Sequence, residues 1–199
     1  MENTRRATVA RGTGRDVLLD ATLRLIGDRG LHAITLREVA GAAGLSLGST
    51  TYHFADRDAL LIAALSRFAD SVTDQCDKAI AAADHDGRTG REIMRTVVAD
   101  LDATYCDVTR MLAQLETYTE AARNPEVAAI AARVLDAYRR LLSHAFTAAG
   151  VPADQVATRV DRVLVYADGL ALQSAAKGAP CTLPDDATSV IWLLATTAV

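Results

Sequence analysis

The chain has 199 residues, half of them hydrophobic and 5% aromatic, with a formal net charge of −4 at pH 7. It can bury a sizeable core, and abundant Ala and Leu with few prolines favour helix nearly throughout. Three widely spaced cysteines argue against a disulfide framework or a zinc site. Without a signal peptide or a long apolar run, the sequence predicts a cytoplasmic protein with no membrane segment.

Charge is unevenly distributed along the chain. Residues 1–57 carry eight Lys and Arg against six Asp and Glu, and the remainder carries thirteen against nineteen. A mildly basic front joined to an acidic body indicates that the front is the part that meets a polyanion.

The first predicted elements are an arm and two helices. The arm, residues 1–14, is polar and rich in Gly, Thr and Arg. From Arg15, apolar residues recur at helical spacing, and Gly30 predicts the end of this first helix. Thr35 and Glu38 have the spacing of a capping box, which predicts the start of a second helix.

The later elements are also helical. Gly44 ends the second helix, and a third short helix is predicted over residues 47–53. Asp56 caps a fourth, long helix that begins at Arg57 and that the polar loop 84–90 closes. Further helices are predicted over residues 91–104, 107–123, 126–149, 153–177 and 186–198. No strand-like alternation interrupts them, so the predicted fold class is all-α, with about nine helices.

The turn at Gly44–Ser46 joins the second and third helices, and the first helix packs against both. This arrangement predicts a helix-turn-helix, whose second helix lies in the major groove of DNA and presents side chains to base edges. The arm and the capped helix ends offer cations and backbone N–H groups to phosphates.

The same stretch suggests an alternative function. Residues 44–48 (GLSLG) fit G-x-S-x-G, the nucleophile elbow of α/β-hydrolases, with Ser46 as the nucleophile. An elbow needs a strand before its serine, whereas a helix precedes Ser46 here and no sheet is predicted. A hydrolase-like enzyme that uses Ser46 and a helical interaction module without DNA binding are the alternatives. We expect no catalytic residue, no metal and no cofactor.

A longer pattern covers residues 17–61. It resembles the DNA-binding domain of the tetracycline-repressor (TetR) family of bacterial regulators in Leu18, Ala21, Leu25, Gly30, Thr35, Val39, Ala40, Ala43, Gly44, Leu45, Ser46, Gly48, Phe54, Asp56, Arg57 and Asp58. The resemblance implies a homodimeric repressor that a small-molecule effector releases from a palindromic operator. It also implies three regions: a flexible basic arm (1–14), a helix-turn-helix domain (15–58) and a ligand-binding and dimerisation domain (59–199).

The resemblance also implies the DNA contacts. Thr35 is expected to cap its helix and touch a phosphate, and Arg57 to hold a phosphate where relatives usually have lysine. The recognition region contributes Ser46, Leu47, Gly48, Ser49, Thr50, Tyr52 and His53. Relatives commonly carry tyrosine at the position of Thr51, and we expect Tyr52 to take over that contact.

The recognition helix contains no Arg, Lys, Asn or Gln. The strong bidentate readers of guanine and adenine are therefore missing from it. We expect Ser and Thr hydroxyls, Leu47 against a thymine methyl, and His53 to supply specificity. The arm arginines Arg5, Arg6 and Arg11 are expected to add minor-groove contacts.

The resemblance implies an effector pocket and a dimer interface in the body. Polar or soft residues on apolar helix faces are the candidate pocket lining: Met94, Tyr105, Met111, Gln114, Tyr118, Tyr138, His144, Tyr166 and Gln173. Considered alone, any one of these residues is more often part of the hydrophobic core than a ligand contact. The candidate dimer interface, on the last two helices, comprises Val163, Leu170, Leu172, Val190, Ile191, Trp192 and Leu194.

Overall fold

A computed structural model describes residues 13–179 and 186–196, with side chains described except at 13, 100–106, 187, 188, 195 and 196. Over these residues the fold is all-α, as predicted, with nine α-helices, one 3-10 turn and no strand. The elements are α1 (Thr13–Arg29), the 3-10 turn (Leu31–Ala33), α2 (Leu36–Ala42), α3 (Leu47–His53), α4 (Arg57–Asp86), α5 (Gly90–Cys106), α6 (Val108–Ala121), α7 (Pro125–Ala148), α8 (Ala153–Ala176) and α9 (Ala187–Thr196).

The helix ends follow local chemistry, and the predicted caps are confirmed. The Thr35–Glu38 capping box opens α2, the Ser46 side chain caps α3, and Asp56 accepts the Ala59 N–H at 2.8 Å at the start of α4. Each cap supplies an acceptor for an N–H that has no partner within its helix.

The fourth helix is longer than predicted. It continues to Asp86, into the segment 84–90 that was expected to form a loop. Gly87 ends it with φ 58°, a left-handed conformation that glycine adopts without steric cost. A capping box between Thr89 and Glu92 then begins α5 at once, so the connection between the two helices is short.

The helices form two parts that share one core. We call residues 13–56, with α1 to α3, the head, and α4 to α9 the body. α4 packs along α7, and α1 lies against both α4 and α6. Buried apolar side chains form one cluster from the head into the body, with Leu18, Leu65, Met111 and Phe146 among its fully buried members. The expected boundary between residues 58 and 59 therefore falls within a continuous helix.

Candidate DNA-binding and ligand-binding sites

The turn between α2 and α3 has the geometry of a helix-turn-helix. Gly44 has φ 66°, and the Leu45 N–H donates to the Ala40 carbonyl at 2.9 Å, the hydrogen bond of a Schellman motif. An L side chain at Gly44 would be strained by this backbone conformation. The glycine therefore sets the angle between α2 and α3.

Ser46 is the N-cap of α3. Its side-chain oxygen accepts the Ser49 N–H at 3.1 Å. The residue is preceded by a helix and a turn, and no strand lies in the described parts of the chain. The environment that would activate a serine nucleophile in a hydrolase elbow is therefore missing around Ser46.

The outer surface of α3 carries two large side chains. Leu47 is 40% exposed and Tyr52 is 78% exposed, although both are residue types that usually prefer burial. The Tyr52 ring meets the His53 ring edge-on at a centroid distance of 5.1 Å. Gly48 is exposed beside them, and Ser49 is half-buried.

Thr50 does not belong to this surface. It is fully buried, and its hydroxyl donates to the Ser46 carbonyl at 3.4 Å. The expectation that Thr50 contacts DNA is therefore corrected: its side chain packs α3 onto the rest of the head.

Thr51 is exposed, but its hydroxyl is engaged within α3. It lies 3.2 Å from the carbonyl oxygens of Leu47 and Gly48, to which it donates. Its side chain is short and turned back along the helix. Tyr52 is therefore better placed than Thr51 to reach beyond the helix surface.

Arg57 holds the 3-10 turn. Its guanidinium donates to the Leu31 carbonyl at 2.6 Å and to the Ile34 carbonyl at 2.7 Å, and its third nitrogen pairs with Asp58 at 2.9 Å. All three side-chain nitrogens thus have partners within the protein. The expected phosphate contact is corrected on this ground, because the guanidinium already satisfies buried backbone carbonyls.

The remaining predicted head contacts are positioned as follows. Thr35 is exposed at the N-terminus of α2, where its hydroxyl and N–H donate to Glu38 at 2.8 and 2.9 Å. These hydrogen bonds hold the pKa of the Glu38 carboxyl below its usual range. Arg5, Arg6 and Arg11 lie outside the described residues.

The first helix begins beside the recognition helix. A Cβ added to Gly14 would lie 3.4 Å from Nε2 of His53, and the Arg15 guanidinium lies 5.4 Å from the centroid of the Phe54 ring. The N-terminal end of α1 therefore lies beside the C-terminal end of α3.

A buried polar cluster lies between α6 and α7. Gln114 donates from its amide nitrogen to the Tyr118 hydroxyl at 3.1 Å and accepts the Tyr138 hydroxyl at 3.3 Å. Burial raises the pKa of both phenols, and the carboxylate of Asp168 on α8 raises each further. We call Gln114, Tyr118 and Tyr138 the polar cluster; it brings together three of the predicted pocket residues.

The other predicted pocket residues are dispersed. Met94 and Met111 are fully buried core residues, and the side chain of Tyr105 lies outside the described part. His144 is corrected as a pocket residue, because its Nε2 pairs with Asp84 at 3.2 Å near the surface.

Two further pocket predictions concern α8. Gln173 is corrected as well, because its side chain is exposed. Tyr166 is half-buried, and burial raises the pKa of its phenol, with a contribution from Asp186.

The predicted dimer surface divides into core and exposed residues. Val163 and Ile191 are fully buried within one chain, so their assignment to an interface is corrected. Leu172 is 62% exposed. The half-buried members are Leu170, Val190, Trp192 and Leu194.

Sequence reasoning missed two members of this surface. Val165 is 73% exposed and Leu193 is 60% exposed. Val165 precedes Leu172 by seven residues, which is two turns of a helix, so it lies on the same face of α8. This seven-residue spacing from Leu172 could have identified Val165 in the sequence. We call the exposed residues Val165 and Leu172 of α8 and Leu193 of α9, two helices that contact each other, the apolar patch.

In residues 13–179 and 186–196, no three His, Cys, Asp or Glu side chains converge on a point that could hold a metal ion. Within the same described ranges, none of the helices has the length and apolar character needed to cross a bilayer.

The raised phenol pKa values predict a loss of stability at alkaline pH. The unfolded chain ionises its tyrosines near pH 10, while the folded chain keeps Tyr118 and Tyr138 neutral. The two phenols therefore stabilise the fold fully below pH 10. Above it, the free energy of unfolding should fall by about 1.4 kcal/mol per pH unit for each phenol. Urea titrations at pH 9 to 11 measure this slope.

A double Tyr118→Phe, Tyr138→Phe variant should flatten that slope. Tyr52→Phe, on the exposed face of α3, is the matched control and should leave it unchanged. An unaltered slope in the double variant contradicts the assignment.

Comparison with known proteins identifies the family. A model for bacterial regulatory proteins of the tetR family matches residues 18–64, and a model for the tetracyclin repressor-like C-terminal domain matches residues 85–196. The chain belongs to the TetR family. The two models cover the helix-turn-helix and most of the body.

Curated relatives and solved structures agree with this assignment. The HTH-type transcriptional regulator BetI of Rhizobium meliloti is 32% identical over 173 residues, 85% of this chain and 81% of the relative. BetI of Escherichia coli O127:H6 is 27% identical, covering 85% and 86%. A TetR-family structure from Streptomyces coelicolor is 27% identical with a TM-score of 0.65, covering 91% and 97%.

Two structural neighbours contain ligands. The multidrug-binding protein EbrR in complex with proflavin is 28% identical with a TM-score of 0.57, covering 91% of this chain and 99% of that one. A transcriptional regulator from Saccharomonospora viridis in complex with choline is 21% identical with a TM-score of 0.74, covering 91% and 94%, a likeness of fold alone.

These comparisons decide the function class. The family and the relatives are transcriptional regulators, so the protein is a DNA-binding transcriptional regulator with a ligand-binding C-terminal domain. It is not an enzyme, and neither the Ser46 hydrolase nor the interaction module without DNA binding is supported.

Proposed function

We propose that the protein is a homodimeric repressor that binds a palindromic operator and leaves it when a small molecule occupies the body. The observation that carries the proposal is the outer surface of α3, where Leu47 and Tyr52 project from a helix positioned by a glycine turn and a serine cap. A regulator of this kind acts where the DNA is, so we place it in the cytoplasm.

The DNA contacts are proposed for the exposed face of the head. Leu47 packs on thymine methyls, and Tyr52 and His53 reach bases or phosphates from the other end of α3. Gly48 and Ser49 approach the DNA backbone, and Thr35 presents its hydroxyl at the N-terminus of α2.

The arm is proposed to enter the neighbouring minor groove. It joins α1 at Thr13, beside the C-terminal end of the recognition helix. Arg5, Arg6 and Arg11 supply the cations that α3 lacks, and a narrow minor groove attracts arginine.

The dimer is proposed to form through the apolar patch. Val165, Leu172 and Leu193 expose large apolar side chains on the last two helices, and half-buried Leu170, Val190, Trp192 and Leu194 extend this surface. Two-fold symmetry doubles the buried area and sets two recognition helices on the two half-sites of a palindrome.

The effector is proposed to bind at the polar cluster. Gln114, Tyr118 and Tyr138 give donors and acceptors within an apolar body, and Met94 and Met111 belong to the same buried core. Choline and proflavin, the ligands of two structural neighbours, are suitable first probes. The occupant need only bind the DNA-incompetent state better, by a few kcal/mol, to release the operator.

Tyr52→Ala should weaken operator binding in a direct test. DNA is selected from a random library by the full-length wild type, and dissociation constants for operator and random duplexes are measured at fixed salt. A lost side-chain contact costs about 1–3 kcal/mol, and the symmetric dimer loses it twice. We expect operator affinity to fall at least tenfold, and an equal fall for random DNA would show that Tyr52 contacts phosphates and not bases.

The control is Thr51→Ala, whose hydroxyl bonds within α3 and should matter little. A Tyr52→Ala variant that binds the operator like wild type contradicts the recognition surface. In the same assay, choline and proflavin are titrated into the complex, and a Gln114→Leu variant should abolish any release that either causes.

A further inference from the structure

We propose that Glu116 and Glu120 are positioning residues that fix the orientation of the head on the body, so that α6 relays occupancy of the polar cluster to the recognition helix. This inference rests on the proposed function. It names the side chains that couple the ligand-binding body to the DNA-binding head.

One face of α6 contacts the head along its length. Thr109 is packed so closely on α1 that a Cβ added to Gly27 would lie 2.7 Å from the Thr109 carbonyl oxygen. At that distance the backbones of α1 and α6 are in direct contact, with no space for a side chain between them. Because these backbones touch, a shift of the start of α6 must also move α1.

Two glutamates on the same face hold the 3-10 turn. A carboxylate oxygen of Glu116 accepts the Leu31 N–H at 3.2 Å. One turn further along, Glu120 pairs with Nε2 of His32 at 3.1 Å and shares its carboxylate with Arg123 at 3.4 Å. The Glu120 side chain is 12% exposed and that of His32 is 69% exposed, so this pair joins the edge of the buried core to the surface of the 3-10 turn.

The 3-10 turn is also held from α4. The Arg57 guanidinium occupies the carbonyls of Leu31 and Ile34, while Glu116 occupies the Leu31 N–H. Two helices of the body, α4 and α6, thus both form hydrogen bonds to the 3-10 turn. α1 precedes this turn and α2 follows it, so its position sets the position of the whole head.

The opposite face of α6 carries the polar cluster. At 100° per residue, positions 109, 116 and 120 share one side of the helix, and positions 114 and 118 lie on the other. Gln114 there donates to Tyr118 and accepts from Tyr138 of α7. A ligand that separates α6 from α7 would displace the helix, and both carboxylates would move with it.

The test compares full operators with isolated half-sites. A misplaced head still binds one half-site, but the two heads of a dimer no longer match the fixed spacing of an operator. Full-length wild type first selects its operator from random DNA. A double Glu116→Ala, Glu120→Ala variant should then bind the full operator about tenfold more weakly, with half-site affinity unchanged.

Further arms separate positioning from plain stability. Hydrogen exchange of the segment 30–34 should speed up in the Ala variant, while exchange in α7 stays as in wild type. A conservative Glu116→Gln variant keeps an acceptor for the Leu31 N–H, so it should bind the full operator nearly as tightly as wild type. Glu126→Ala, an exposed glutamate at the start of α7, is the matched control.

The outcomes separate this inference from the proposed function. Equal losses on full and half-sites, or wild-type binding by the Ala variant, overturn the positioning role. A wild type that selects no DNA from the library overturns the proposed function, and this inference with it.

Discussion

A Leu172→Asp variant should be monomeric and should lose operator affinity by about a hundredfold or more. Burying a leucine stabilises an interface by about 1.5–3 kcal/mol, and the proposed two-fold dimer would contain this residue twice in its interface. Removing both copies costs about 3–6 kcal/mol, which corresponds to roughly a hundred- to ten-thousandfold in the dimer dissociation constant. The introduced carboxylates add a desolvation cost.

Analytical ultracentrifugation of wild type and variant measures this change. The control is Ala132→Asp, which introduces the same charge on an exposed position of α7 outside the apolar patch. The control should keep the mass and the operator affinity of wild type. A Leu172→Asp protein that stays dimeric would show that another surface joins the two chains.

Gly90→Ala should destabilise the fold by about 1–3 kcal/mol, although alanine is the better helix former. Gly90 is the first residue of α5, and a Cβ there would lie 2.3 Å from Cα of Ala149, at the end of α7. Because the obstructing atom belongs to the backbone, no side-chain rotation relieves the clash, and α5 must move away from α7.

Gly41→Ala is the matched control for this prediction. Gly41 also lies in a helix, α2, but an added Cβ would have no atom within 4 Å. The substitution should stabilise by about 0.5–1 kcal/mol, because it lowers the entropy of the unfolded chain without strain. Urea unfolding of both variants measures the two shifts, and a destabilisation by Gly41→Ala as large as that by Gly90→Ala would refute the steric argument.

Local chemistry made much of this fold predictable from sequence. The caps at Thr35, Ser46 and Asp56 were found correctly because a cap involves residues only three positions apart. The end of α4 was placed too early, since the polar residues Asp84 to Asp86 suit a loop or a helix end equally well. Gly87 decided between them through its left-handed conformation.

The sites were less predictable than the helices. Periodicity shows that a helix has an apolar face, but it does not show whether that face meets the same chain or another one. Val163 and Leu172 are both apolar residues of α8, and packing buried the first and left the second exposed. Arg57 was misassigned for a similar reason, because its carbonyl partners lie 23 and 26 residues away.

The sequence by itself determined the class of this protein: an all-α regulator with a helix-turn-helix, because capping, helical periodicity and the family pattern are all local in the chain. Only the tertiary structure decided which side chains are exposed and which are held by contacts within the protein. It buried Thr50, turned Arg57 inward, joined Gln114 to two phenols and set two glutamates of α6 against the 3-10 turn. These assignments depend on contacts between distant segments, which exist only once the helices have packed.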